Sequence, residues 1–226
     1  GYSLNYHKHI HTGEGGILVT NNDELADRMR LIRNHAEAVV EDKGVSNLNN
    51  MIGHNFRLGE LECAIGIEQL KKLKKLIKTR QKIAERLIVG LKDLVGLRLP
   101  IVQDDCTHVY YVLPLIVDVE KLGTSREFIV QALEAEGVSG LSAGYQNIHL
   151  LPIYQKKIAY GSNGFPWTLD GVRQDIDYTK GICSVAEMLH EKTFIGFQMC
   201  VHELSDNDID LIVRAFKKVW KNIVRL

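Results

Sequence analysis

Ser3-Leu4-Asn5-Tyr6-His7-Lys8-His9-Ile10-His11-Thr12-Gly13-Glu14-Gly15-Gly16 concentrates imidazole, amine and hydroxyl groups directly before a glycine-rich turn. Tyr2 to Ile10 alternates bulky and polar residues, which predicts a strand. The glycines then predict a turn into a second strand over Ile17 to Thr20. Three readings of the segment compete. On a strand, His7, His9 and His11 would share one face, and three imidazoles could hold zinc or iron. No H-E-x-x-H or D-x-H companion supplies the acidic ligand or base that such a centre needs, so no metal is expected. The second reading is a plain surface strand that carries histidines. The third starts from Lys8: a lysine amine can form a Schiff base with an aldehyde cofactor and later move protons at the adjacent carbon. It needs a phosphate site, and Ser3, five residues earlier, offers a hydroxyl and a backbone N–H.

Outward from this segment, Asn21 with Glu24 predicts a helix start, with Leu25, Met29 and Ile32 on one face and Arg28, Arg30 and Arg33 on the other. His35 to His54 shows neither period, is rich in turn formers, and reads as an extended loop whose length hints at function. From about Gly59 to Leu94, apolar residues from Leu61 to Leu91 recur at helical spacing and predict one long helix or two abutting ones. Its lysines, Lys71 to Lys82, resemble a nucleic-acid stripe, but neither aromatic stacking residues nor excess basic charge accompany them, so a solvated face is expected. Gly96 and Pro100 mark a boundary, after which His108 to Val117 has strand composition. Thr124 with Glu127 predicts a helix through Ala135 that Gly137 ends, irregular sequence follows around Pro152 to Pro166, and Ser205 with Asp208 predicts the cap of a last amphipathic helix.

The whole chain sets wider bounds. It has 226 residues, 45% hydrophobic and 25% charged, enough for one large domain or two small ones. Lys+Arg and Asp+Glu both number 28, so no net field favours nucleic acid or an anionic membrane. Cys63, Cys106, Cys183 and Cys200 form no C-x-x-C pair, and a reducing cytoplasm is expected. No apolar run approaches the ~20 residues of a membrane span, and no signal-peptide pattern opens the chain. It begins abruptly on strand-like residues without Met, as a piece of a longer reading frame would.

Without a gap, Ser3 to Gly16 resembles the cofactor-lysine segment of the DegT/DnrJ/EryC1/StrS aminotransferases, commonly F-S-F-x-x-x-K-x-I-T-T-G-E-G-G. Gly53-His54-Asn55-Phe56-Arg57-Leu58 is similar to the family's G-x-N-Y-R-L, and Glu60-Leu61-Glu62-Cys63-Ala64-Ile65-Gly66 to its E-L-x-A-A-I-G. Weaker likeness runs through His108, Tyr110 and Ile148 to Tyr154. The resemblance implies an α/β chain of the fold-type-I kind: residues 1–95 as the end of a large cofactor domain with a long linking helix, and 96–226 as a smaller α+β domain. It further implies that Lys8 holds pyridoxal 5′-phosphate, that Ser3 binds its phosphate, and that an amine passes from an amino-acid donor, usually glutamate, to a nucleotide-linked keto sugar. Asn55 would reach the cofactor phosphate of a second subunit, implying a homodimer with shared sites. Arg57, His108 and His149 would contact donor or sugar nucleotide, with a satisfied structural role as the competing reading of both histidines.

The pattern departs from the family in two ways. His11 stands where Thr is usual. The phosphate turn, ring-stacking aromatic and pyridine-nitrogen acid that the family carries in its N-terminal region are not in this chain, so the 226 residues alone are expected to be inactive or nearly so. Some members replace the lysine with histidine and dehydrate instead; the ungapped register places Lys8, not His7 or His9, at that position. A non-catalytic module on the same scaffold is the remaining alternative.

Overall fold

The computed structural model describes residues 1–37, 51–173, 175–200 and 203–223. The chain forms two compact units, Gly1–Lys78 and Thr79–Leu226, divided within a helix.

In the first unit, β1 (Tyr2–Ser3) pairs antiparallel with β2 (Gly16–Ile17), Ser3 opposite Gly16. Both strands are shorter than the sequence predicts. The alternation of Tyr2 to Ile10 is broken at Asn5, whose carbonyl accepts the Lys8 N–H at 3.0 Å, so residues 6–10 form a turn and bend. His7, His9 and His11 therefore share no strand face, and among the described residues no group of three or more His, Cys, Asp or Glu could hold a metal ion. Helix α1 (Asp23–Arg33) is capped by Asn22, whose Oδ1 accepts the Leu25 N–H at 3.0 Å. The cap lies one residue beyond the predicted Asn21, the neighbouring asparagines being alike in composition but not in backbone geometry.

Of the predicted loop over His35 to His54, residues 38–50 lie outside the described residues. Its two described ends are ordered against one another. Helix α1 leads into His35 and Ala36 in the left-handed region, and residues 54–56 return antiparallel through His54 N–H to Ile32 O at 2.8 Å and Phe56 N–H to Arg33 O at 2.9 Å. At Gly53 a Cβ would collide with the His35 and Ala36 backbone, so only glycine lets the chain cross there.

Helix α2 (Glu60–Leu91) is one continuous helix. In the second unit its buried residues Ile83, Ala84, Leu87 and Leu91 enter a core with an antiparallel sheet of β3 (Leu97–Arg98), β4 (Val112–Val117), β5 (Leu141–Ala143) and β6 (Phe194–Gln198), in the order β3-β4-β6-β5. Along β4 the side chains alternate strictly, burying Leu113, Leu115 and Val117, as expected of a sheet packed on one face.

Between them come α3 (Val119–Leu122), capped by Asp118, and α4 (Arg126–Ala135), capped by Ser125, whose hydroxyl accepts the Phe128 N–H at 3.2 Å. The predicted cap Thr124 instead gives its N–H to Val119 O at 3.3 Å, closing α3. Short helix α5 (Pro152–Lys156) interrupts the segment read as irregular, and α6 (Ser184–Met188) follows it. Helix α7 (Asp206–Ile223) begins with a reciprocal box, Ser205 N–H to Asp208 Oδ2 at 2.8 Å and Asp208 N–H to Ser205 Oγ at 3.2 Å. Its Ile209, Phe216, Val219 and Trp220 complete the core, and the Trp220 indole N–H finds Val95 O at 2.8 Å. Among the described residues no helix is long and apolar enough to cross a membrane.

Candidate functional site

Ser3, Lys8, Asn55 and Arg57 lie in the first unit, whereas His108 and His149 lie in the second. The Lys8 turn is held by the paired strands at its base. Leu4 N–H donates to Gly15 O at 2.9 Å, and Thr12 N–H donates back to Leu4 O at 3.0 Å; Leu4 and Thr12 are buried. Thr12 Oγ1 donates to Glu14 O at 2.7 Å, and a Cβ on Gly15 would lie 2.7 Å from that hydroxyl oxygen, which accounts for a glycine in the turn. The result is a short, cross-braced loop that presents Lys8 half-buried between Asn5 and Thr12.

Ser3 Oγ accepts the Asn5 N–H at 3.3 Å. A hydroxyl has one proton to give and two lone pairs to receive with, so this contact uses one lone pair and leaves the O–H proton to donate. An amine and a hydroxyl proton on the same braced loop are the two groups that an aldehyde carrying a phosphate would require, one for the carbonyl carbon and one for a phosphate oxygen. His11 turns back on the loop, its Nδ1 accepting the Gly13 N–H at 3.4 Å, so the histidine at the usual threonine position braces the turn.

Asn55 and Arg57 are exposed on the returning segment, Asn55 bridged to Asn34 and its Oδ1 accepting the Arg57 N–H at 3.5 Å. Arg57 Nη1 donates to Asn34 Oδ1. Both side chains are thus carried by backbone clamped to the end of α1, an arrangement for which Gly53 is the spacer.

In the second unit, His108 Nδ1 accepts the Tyr110 N–H at 2.9 Å, its carbonyl accepts from Gln81 Nε2 at 3.1 Å, and the two rings lie 4.2 Å apart. This holds Tyr110 in the left-handed region at φ 51°, and burial, with the charge of Glu85 adding, raises its phenol above the ordinary value. His149 Nε2 lies 2.8 Å from Glu187 Oε1, and both side chains are largely buried, 13% and 8% exposed. Glu187 also receives the Gly181 N–H at 2.8 Å and the Cys183 N–H at 3.3 Å. The His149 hydrogen bond first, then that of Gly181, hold its carboxyl below the ordinary range against burial. Sequence reasoning missed Glu187, which lies 38 residues from His149 in a segment without period. It also missed Asn5 and Glu14, although both stand inside the segment that singled out Lys8.

Comparison with known proteins gives the chain's family and fold. A model of the DegT/DnrJ/EryC1/StrS aminotransferase family matches residues 1–178. The spore coat polysaccharide biosynthesis protein SpsC of Bacillus subtilis is 29% identical over 220 residues, covering 95% of this chain and 51% of that protein. A UDP-4-amino-4,6-dideoxy-N-acetyl-beta-L-altrosamine transaminase of Helicobacter pylori is 31% identical over 160 residues, 70% of this chain and 40% of that enzyme. Among solved structures, DesV of S. venezuelae in complex with a ketimine intermediate matches with a TM-score of 0.73 at 21% identity, over 97% of this chain and 50% of DesV. That match shows the α/β fold of a fold-type-I aminotransferase. The chain spans about half the length of the relatives it matches.

Proposed function

Since the chain belongs to the DegT/DnrJ/EryC1/StrS aminotransferase family, whose members depend on pyridoxal phosphate, we propose that it serves the transfer of an amino group from an amino-acid donor, glutamate, to a nucleotide-linked keto sugar. The observation that carries this reading is the braced loop with Lys8 half-buried and the Ser3 hydroxyl spare as a donor. When bound, the pyridine ring supplies the electron sink that the side chains lack. Lys8 would hold the cofactor's aldehyde carbon and, once released, would move the proton at the carbon that bears the amine. Ser3 would hold the phosphate.

The remaining roles are our assignments, and the atoms already engaged support two of them. His149, with Nε2 committed to Glu187, has Nδ1 left to offer a sugar nucleotide; His108, with Nδ1 committed to Tyr110, has Nε2. We assign Arg57 as the cation that would meet a donor carboxylate or substrate phosphate, and Asn55 as the residue that would reach the phosphate held by a second copy. Residues 1–95 would then belong to the cofactor domain and 96–226 to the small domain. The UDP-linked amino sugar in the Helicobacter relative's name supports a nucleotide-sugar acceptor, and polysaccharide synthesis in the Bacillus relative's name supports a surface-polymer product. We place the reaction in the cytoplasm, in keeping with four cysteines that form no disulfide.

Pyridoxal phosphate mixed with the chain and reduced with borohydride should leave the cofactor's mass on the Lys8 peptide, and Lys8→Ala should lose it. Modification of Lys8→Ala to the same extent, or a wild-type adduct that never includes Lys8, overturns the reading.

A further inference from the structure

We propose that Asn5 and Glu14 form a strut that positions Lys8 against Ser3; the inference rests on Lys8 being the cofactor lysine. Asn5 Nδ2 donates to Glu14 Oε1 at 2.6 Å, a short bond from an amide to a carboxylate. The two residues sit on opposite arms of the loop, Asn5 just after β1 and Glu14 just before β2. Glu14 is itself anchored, because its carbonyl accepts the buried Thr12 hydroxyl at 2.7 Å.

Asn5 touches both functional ends of the loop. Its N–H donates to Ser3 Oγ at 3.3 Å and its carbonyl accepts the Lys8 N–H at 3.0 Å. A rotation of Asn5 would therefore shift the Ser3 hydroxyl and the Lys8 main chain that carries the amine together, and the bond to Glu14 opposes that rotation. The orientation of the amide is fixed by charge: flipped, its oxygen would face the Glu14 carboxylate. As oriented, Asn5 Oδ1 is buried without a hydrogen-bond partner. An amide that leaves its own oxygen unpaired is held there by what its other groups do, and here those groups tie Ser3, Lys8 and Glu14.

The consequence is specific to a ligand that must meet both ends at once. A phosphate-bearing aldehyde needs Ser3 and Lys8 in register; a small aldehyde such as formaldehyde needs only an accessible amine. The full chain is labelled with pyridoxal phosphate and cyanoborohydride, and separately with formaldehyde, and the rate at Lys8 is read by peptide mass against exposed Lys72 and Lys74 as internal controls.

In wild type, pyridoxal phosphate should favour Lys8 over both controls. In Asn5→Asp, which sets two carboxylates against each other, and in Asn5→Ala, the ratio of pyridoxal phosphate to formaldehyde labelling at Lys8 should fall about tenfold, the effect of one lost positioning bond. The pair Asn5→Asp/Glu14→Gln reverses donor and acceptor and should restore the ratio, and it gives the answer on its own if Asn5→Asp does not fold. An unchanged ratio in Asn5→Ala, or a swapped pair that behaves like Asn5→Ala, overturns the strut while leaving Lys8 its role. A wild-type Lys8 labelled no faster than Lys72 and Lys74 overturns the reading of Lys8 and the strut with it.

Discussion

His149 and Glu187 meet at 2.8 Å in a largely buried pair, and the carboxylate simultaneously receives N–H groups from Gly181 and Cys183. Three chain segments thus converge on one side chain: the 3-10 turn Ile148–Leu150, the loop ending at Gly181, and the start of α6. A candidate substrate histidine is oriented by a residue that itself organises the wall behind it.

The depressed Glu187 carboxyl fixes a direction for the pH dependence of this wall. A group whose folded value lies below its unfolded value adds stability above the unfolded value, and that stability is lost as pH falls through the folded value. Glu187→Gln should therefore lower the melting temperature at about pH 7, and the gap to wild type should close on acidification toward about pH 3. Thermal melts across that range decide it; a gap that is constant with pH would show that the charge of Glu187 contributes nothing to the wall.

Arg126 is 5% exposed, and its guanidinium spreads over the carbonyls of Leu189, His190, Glu191 and Phe194, with His190 O at 2.6 Å, while pairing with Glu127. This planar fork closes the wide turn Leu189–Thr193 before β6. Lysine keeps the charge but has no fork. Arg126→Lys should destabilise the second unit by about 1.5–3 kcal/mol, the range for hydrogen bonds to a charged group, as measured by urea unfolding.

What was legible in the sequence divides along physical lines. The Ser205 and Asp208 box was readable from its S-x-x-D spacing even with Asp206 and Asn207 between them, whereas at the Asn21-Asn22 and Thr124-Ser125 doublets the backbone used the second of two residues of the same capping chemistry. The alternation of Tyr2 to Ile10 pointed to a strand, yet the Asn5 main chain bonds locally instead of in a ladder, its N–H to Ser3 Oγ and its carbonyl to the Lys8 N–H. Strand β6, Phe194-Ile195-Gly196-Phe197-Gln198, carries a glycine at its centre and owes its form to pairing with β4 and β5 on either side, which no local pattern records. Within the site, the spacing of Ser3, Lys8 and the glycines was visible as a motif. The Asn5 to Glu14 and His149 to Glu187 contacts were not, because each joins residues whose meeting depends on the path of the loop between them.

Gly53 tests whether the motif around Asn55 is a structural crossing as well as a chemical one. A methyl group there would overlap the backbone of His35 and Ala36, which cannot yield as a flexible side chain would. Gly53→Ala should destabilise the first unit by about 3 kcal/mol. Hydrogen exchange should show faster amides at His54 and Phe56, whose bonds run to Ile32 and Arg33, with the second-unit amides of β4 unchanged.

Ser3 separates the two halves of the proposed chemistry, since it contacts phosphate and Lys8 contacts aldehyde. Its hydroxyl accepts from Asn5 N–H, so removing it also frees one backbone donor, but at an exposed position where water can replace the partner. Ser3→Ala should leave Lys8 equally reactive toward pyridoxal, which has no phosphate. Toward pyridoxal phosphate the same variant should react about tenfold more slowly, the equivalent of about 1.4 kcal/mol from one hydrogen bond to a charged oxygen. The ratio of the two rates at Lys8, read by peptide mass after reduction, carries the result. If both reagents slow equally, Ser3 supports the loop and not the phosphate; if only the phosphorylated one slows, the Ser3 O–H is the phosphate donor that its hydrogen bonding leaves it poised to be.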